Sequence, residues 1–331
     1  MVAGRQVMAF VSALSIVIAL AGAMPGHAQS WKPQRPIEVM VGAAPGGSID
    51  LTARLIQRVI DERKLAGVTT VVVNRPGAGQ GIAWAHMLER AKSNPAIAIG
   101  GPNLVSNPIT GLHSINHNDV NTLAVLFDDY MAFAVRADSP LKSMRDVIER
   151  LRKDPAALSI AIAPSIGSGA HSGALVALRA AGVPVREARF VVYKAAGESI
   201  VALLGGDIDV VSGTVANFPA HLQSGRLRLI GVTAPVRLPG AMAAVPTLRE
   251  QGFDGVYTNW RSVIGPPNMP REQVMFWEET LAAVNRSDEW RRDLERNYWT
   301  ENFLTGEPAR KFVADQALQF RAIYGDLAPA K

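Results

Sequence analysis

Two short stretches of this chain carry the residue types from which an anion site is built. Gly42-Ala43-Ala44-Pro45-Gly46-Gly47-Ser48 follows the apolar run Ile37 to Val41 and precedes a helical pattern that opens at Asp50. Pro164-Ser165-Ile166-Gly167-Ser168-Gly169-Ala170-His171 follows the run Leu158 to Ala163 and precedes a helical pattern from about His171 to Ala181. Each loop therefore joins the carboxyl end of a strand to the N-terminus of a helix. There the first backbone N–H groups lack intrahelical acceptors, the helix dipole is positive, and glycine lets a ligand approach the backbone closely. One such loop in each half of the chain implies two jaws closing on one anion. The competing reading makes the glycines simple turn formers and Ser48 and Asp50 helix N-caps.

Other candidate chemistry is weaker. Ser168 and Ser172 flank His171, yet Gly-Ser-Gly is not the G-x-S-x-G elbow of a hydrolase. His113 and His117 stand four apart, as metal ligands on a helix would, but Pro108, Gly111 and a Ser/Asn-rich setting predict a loop, so no metal is expected. Gly77-x-Gly79-x-Gly81 lacks dinucleotide spacing, and no Gly-Lys-Ser/Thr follows the first loop, so no nucleotide cofactor is expected. Asp209, followed by Val210 and Val211, is expected to face the cleft between the halves. Trp277, Trp290 and Trp299 read as helix-packing residues rather than a cofactor box.

Composition narrows the classes further. The chain has 331 residues, 48% hydrophobic and 19% charged, which excludes disorder and allows about two domains. It has no cysteine, so a disulfide scaffold, a thiolate metal site and a cysteine nucleophile are all excluded. The net charge of +5 comes from scattered Lys and Arg without a run of five, which argues against nucleic acid as a partner. Arg5, the apolar stretch Met8 to Met24 and Pro25-Gly26-His27-Ala28 read as a secretory signal peptide over residues 1–28, with the mature chain starting near Gln29. The stretch is shorter than the roughly 20 residues needed to span a bilayer. With no cysteine to carry a lipid, the expected product is a soluble exported protein.

Positioning elements follow from periodicity. Short apolar runs at Ile37 to Val41, Thr69 to Val73 and Ala96 to Gly100 alternate with helical patterns, predicting a parallel sheet. Runs at Leu123 to Phe127 and Met131 to Val135 mark a change of unit. A second alternation follows, with strands at Leu158 to Ala163, Ala188 to Tyr193, Ile208 to Ser212 and Leu227 to Val232, and helices between them. Pro-rich turns from Pro235 to Pro267 mark the return, and apolar spacing after Arg271 predicts helices covering the first sheet. The resulting domains are 29–130 with 251–331, and 131–250.

At this point the chain resembles the Bug (TctC-like) substrate-binding receptors of tripartite tricarboxylate transporters. The likeness rests on Pro36-Ile-Glu-Val-Met-Val, Gly46-Gly47-x-x-Asp50, Val73-Asn74-Arg75-Pro76-Gly77-Ala78-Gly79, Ser139-Pro140-Leu141-Lys142, Gly167-Ser168-Gly169-x-His171, Tyr193-Lys194, Leu203-Leu204-Gly205-Gly206-x-x-Asp209, Gly225-Arg226-Leu227-Arg228, Val245-Pro246-Thr247-Leu248-x-Glu250-Gln251-Gly252 and Trp260. What the resemblance implies is an α/β periplasmic-binding-protein fold of the Venus flytrap, type II-like class, with two crossovers and no catalysis. It implies a monomer that grips a small carboxylate largely through backbone amides and delivers it to membrane permease subunits. The implied ligand contacts are Ala44, Gly46, Gly47 and Ser48 on one jaw and Ser165, Gly167, Ser168, Gly169 and His171 on the other. Asn103, Ser106, Asp209 and Thr214 complete the expected lining. Ala43 and Ala44 stand where the family commonly has bulkier residues, Ala195 follows Lys194 in place of glycine, and Arg261 follows Trp260 where glycine is common. A wider cleft is expected from these departures. Two other readings carry distinct consequences: a ligand sensor on the same scaffold, and an exported hydrolase using Ser168 with His171.

Overall fold

Ile37–Val41 (β1) is an almost wholly buried strand, and the chain leaves it through the first glycine loop into Ser48–Glu62 (α1). Ala53, Leu55, Ile56, Val59 and Ile60 form the buried stripe of α1, while Leu51, one turn earlier, is 44% exposed beside the loop. The computed structural model describes residues 31–90 and 96–327. The leader read at 1–28 lies outside the described residues.

The first sheet continues with Thr70–Asn74 (β2), Gly81–Arg90 (α2), Ala96–Gly100 (β3), Asn103–Thr110 (α3) and Asn121–Asp128 (β4). The second begins with Met131–Arg136 (β5) and Met144–Lys153 (α4), whose start is set by a capping box between Ser143 and Asp146. Ser159–Ile162 (β6), Gly169–Ala180 (α5), Arg189–Val192 (β7), Ala196–Gly205 (α6), Val210–Thr214 (β8), Pro219–Gln223 (α7) and Leu227–Val232 (β9) follow. The chain then returns through Arg261–Gly265 (β10), Arg271–Asn285 (α8), Asp288–Asn297 (α9), Thr300–Thr305 (β11) and Gly306–Tyr324 (α10).

The strand orders are β11-β4-β10-β3-β1-β2 in the first sheet and β7-β6-β8-β5-β9 in the second. β1 is parallel to β2 and β3, and β6 is parallel to β7 and β8, as the alternation predicts. The first sheet also takes in two strands that the alternation did not place: β10 runs antiparallel to β3 and β4, and β11 antiparallel to β4. Neither strand stands out locally. β10 lies in Pro-rich surroundings, and β11 reads Thr-Glu-Asn-Phe-Leu-Thr without alternation. α3 is likewise unforeseen: Pro108 falls in its last turn, where it costs one backbone hydrogen bond, and Gly111 ends the helix at φ +74.

The outer helices α8 and α9 cover the first sheet through Trp277, Leu281, Val284 and Trp290, all buried in one cluster with the β1, β3 and β4 side chains. Trp299 stacks on Phe127 at 4.1 Å, a contact worth roughly 0.5–1.5 kcal/mol beyond its buried area. The three tryptophans are therefore packing residues, as expected. The largest cluster draws on both sheets: Met40 and Ile264 from the first share it with Phe133 of the second, Leu175 of α5 and Phe320 of α10. Antiparallel β10 places its first residue, Arg261, beside the carboxyl ends of β1 and β3, where open α/β sheets bind ligands.

Candidate functional site

Gly42 leaves β1 with no room for a side chain, since a Cβ there would stand 2.4 Å from that of Gln80. Gly46 adopts φ +88, a left-handed conformation that favours glycine, and Gly47 caps α1 without a side-chain hydrogen bond. Asp50 is not the N-cap. It is the third residue of α1, only 1% exposed, and its carboxylate reaches back to accept the Gly46 amide at 2.9 Å. It also accepts Arg54 Nε and Asn74 Nδ2 at 2.8 Å each, while Asn74 Nδ2 donates to the Ala43 carbonyl. Burial pushes the Asp50 carboxyl up, but the hydrogen bonds from Arg54, Gly46 and Asn74 outweigh it and hold the group below the usual range. One ionised carboxylate thus pins the loop from below and leaves Ala44, Gly46 and Gly47 exposed.

The second loop leaves β6 through a cis Ala163–Pro164 bond, and Gly167 turns it at φ +84. Ser168 is the N-cap of α5, its Oγ accepting the His171 amide and its carbonyl accepting Ser172. The Gly167 amide donates to His171 Nδ1 at 3.2 Å. His171 is 4% exposed, set edge-on to Phe190, and desolvation pushes its pKa down to about 4, so the ring is neutral at pH 7. Its Nδ1 also lies 3.3 Å from the Tyr324 hydroxyl, which meets Ser172 Oγ at 2.7 Å. The Ser168 hydroxyl and His171 Nδ1 are thus both engaged in shaping the loop. His171 Nδ1 supports the jaw from within, with the ring packed against Phe190 and Tyr324.

The two loops meet shared neighbours. Buried Ser106 on α3 donates to the Gly167 carbonyl at 3.0 Å, and Gly169 approaches Asn259 so closely that a Cβ would stand 2.6 Å from its Oδ1. Asn103, at the start of α3, is half-buried with Nδ2 3.5 Å from Asn107 Oδ1. Ser165 Oγ and Thr214 Oγ1 are buried without a hydrogen-bond partner among the described residues, both at the carboxyl ends of strands of the second sheet. Asp209 is the residue that does not join them. It stands at the opposite end of β8, where its carboxylate accepts the Ser159 amide and hydroxyl at 2.8 and 2.7 Å and ties β8 to β6. The expectation that it faces the cleft is corrected: Asp209 precedes Val210, the first residue of β8, and so stands at the amino end of its strand, whereas open α/β sheets bind ligands at the carboxyl ends. His113 packs against Gly81 and the Trp84 ring, with Nε2 3.0 Å from Asn107.

Arg261 is the addition that local pattern did not place. Its side chain is buried, with Nη1 donating to the Asn259 and Trp260 carbonyls at 3.1 Å and Nη2 to Ser48 Oγ at 3.1 Å. Asp129 Oδ2 lies 3.9 Å away. Asp129 is completely buried between β4 and β5, and desolvation pushes its pKa up to about 7 against the opposing charge of Arg261 and hydrogen bonds from Tyr130 and Asn259. The Asn259 amide donates to the Asp129 carbonyl at 2.8 Å, so both stretches that join the sheets meet here. The sequence signal was Arg261 itself, which follows Trp260 where the resembling family commonly has glycine.

Comparison with known proteins places this geometry. The model of the TctC family, described as the tripartite tricarboxylate transporter family receptor, matches residues 53–327. The BugT protein of Bordetella pertussis is 26% identical over 327 residues, covering 95% of each chain. A TctC solute-binding protein from Polaromonas, solved without ligand, superposes at a TM-score of 0.70 with 25% identity, over 89% of this chain and 99% of its own. An R. palustris protein solved with adipate superposes at 0.79 with 23% identity, over 90% of this chain and 99% of its own.

Proposed function

This chain belongs to the TctC family of periplasmic solute-binding receptors, and on that premise we propose that it captures a small carboxylate between its two glycine loops and hands it to a membrane permease. The observation that carries the reading is the pairing of the two helix N-termini. Gly46 to Ser48 and Gly167 to Gly169 each open a helix at a strand's carboxyl end, and Arg261 and Asn259 bridge the space from Ser48 to Gly169. The adipate held by the R. palustris relative supports a carboxylate as the ligand class. In this reading residues 29–130 with 251–331 form one domain, 131–250 the other, and ligand binding selects the closed arrangement. No helix among the described residues is long and apolar enough to cross a membrane.

Charge-assisted bonds from amides to a carboxylate supply the affinity, offset by the cost of ordering the hinge. A thermal-shift screen of the mature chain from Gln29 against linear and aromatic carboxylates and their neutral amides tests the reading. A ligand at 100 times its dissociation constant stabilises by about 2.7 kcal/mol, which is readily seen. Stabilisation by acids supports the proposal, and stabilisation by amides alone overturns the carboxylate class.

A further inference from the structure

The Arg261 guanidinium has more donors than the protein satisfies. Its five N–H groups meet two backbone carbonyls through Nη1 and one hydroxyl, that of Ser48, through Nη2. Nε is buried and has no hydrogen-bond partner among the described residues. Asp129 does not complete the set, because 3.9 Å is beyond hydrogen-bond length and its oxygens are turned to the Tyr130 amide and Asn259 Nδ2. Nε and Nη2 share the edge of the planar group that takes a carboxylate in the two-pronged manner. Arg261 is 5% exposed, and a buried cation left with an unpartnered N–H is costly to fold, so it calls for a functional reason. That edge lies beside Ser48, the first residue of α1, at the positive end of the helix.

We propose that Arg261 is the charge-reading residue of this receptor, taking a ligand carboxylate on its Nε and Nη2 edge beside Ser48. The proposal rests on the carboxylate-receptor reading and deepens it: selection of acids over neutral isosteres comes from a side-chain cation, in addition to the backbone amides of the two loops. Asp129 is the counter-charge that makes the buried guanidinium tolerable before the ligand arrives, held too far away to occupy the binding edge.

Isothermal titration of C4 to C8 linear dicarboxylates, benzoate and phenylacetate, each beside its amide, tests this in the wild-type chain, Arg261→Gln, Asp129→Asn and the double variant. Arg261→Gln lowers acid affinity by about 10- to 100-fold and leaves amide affinity within about threefold. Asp129→Asn moves acid affinity the other way, tightening it roughly threefold at pH 8, because it removes a competing negative charge. The double variant carries no buried charge at this pair, so it reports the arginine's loss even where Arg261→Gln alone folds poorly. Wild-type acid binding that survives loss of Arg261, or an equal loss of acid and amide in both single variants, overturns the inference and leaves the receptor reading standing. Absence of any acid binding by the folded wild-type chain overturns the receptor reading itself, and the assignment of Arg261 with it.

Discussion

The two glycine loops share a pattern and a place in their sheets, yet they are held by opposite kinds of chemistry. The first is held by ions: Asp50 grips the Gly46 amide, Arg54 and Asn74, and Arg261 reaches Ser48 from the far side of β3. The second is held by neutral groups that burial keeps neutral, with His171, Ser172, Tyr324 and Ser106 spending their hydrogen bonds on Gly167 and one another. An anion site needs donors aimed at the ligand and nothing negative beside them. The ionic loop meets that need by turning its carboxylate underneath, and the neutral loop by having no carboxylate at all.

The largest expected effect is at Asp50. Asp50→Ala strands the Gly46 amide and Asn74 at once and should cost about 2–4 kcal/mol in urea unfolding, with ligand affinity falling as the loop loosens. A loss near 1 kcal/mol would reduce Asp50 to an ordinary helix-terminus acid. Because its folded pKa is depressed, its contribution is present above about pH 4 and is lost as pH falls further.

The contrast sharpens in the pH dependence of stability. His171 titrates near 4 when folded against 6.5 when exposed, so its contribution is complete above 6.5 and is lost as pH falls towards 4. Asp129 titrates near 7 when folded against 3.8 when exposed, so the native state holds an extra proton between those values and stability falls as pH rises towards 7. The two slopes oppose one another between about pH 4 and 6.5. His171→Gln should therefore steepen the decline with rising pH in that window, and Asp129→Asn should make stability rise with pH, each by on the order of 2–3 kcal/mol across the window. Superimposable profiles for wild type and both variants, from chemical denaturation at several pH values, would remove the contrast.

Smaller effects separate the loops further. Tyr324→Phe leaves the fully buried Ser172 hydroxyl without its cross-helix partner and should cost about 1–2 kcal/mol, with the amides of α5 losing hydrogen-exchange protection before those of α1. At the caps, Ser168→Ala should cost about 1 kcal/mol, whereas Gly47→Ser, which offers α1 the hydroxyl cap it lacks, should gain a few tenths. Thermal melts of the two variants check the difference in sign.

Most of the strand-loop-helix units were legible because each is a local object. An apolar run, a glycine turn and a helical stripe lie within about thirty residues, and Ala96–Gly100 and Leu227–Val232 emerge with the boundaries their sequences predict. β10 and β11 were not legible, because a strand inserted late into a finished sheet owes its existence to neighbours more than 130 residues earlier in the chain. The same holds within the site. His171 was visible as a residue of the second loop, but that it faces Phe190 and Tyr324 depends on β7 and α10.

By itself the sequence determined that there are two glycine loops, each at a strand's carboxyl end and a helix's N-terminus, because turn chemistry and apolar period act over a few residues. Only the tertiary structure decided what those loops are made to face. Asp129 and Arg261 are 132 positions apart, and their charges acquire meaning only when both are taken out of water, side by side, at the stretches that join the sheets. Desolvation is a property of the assembled fold, and it is desolvation that keeps His171 neutral, raises Asp129 and makes the unpartnered Nε of a buried arginine costly.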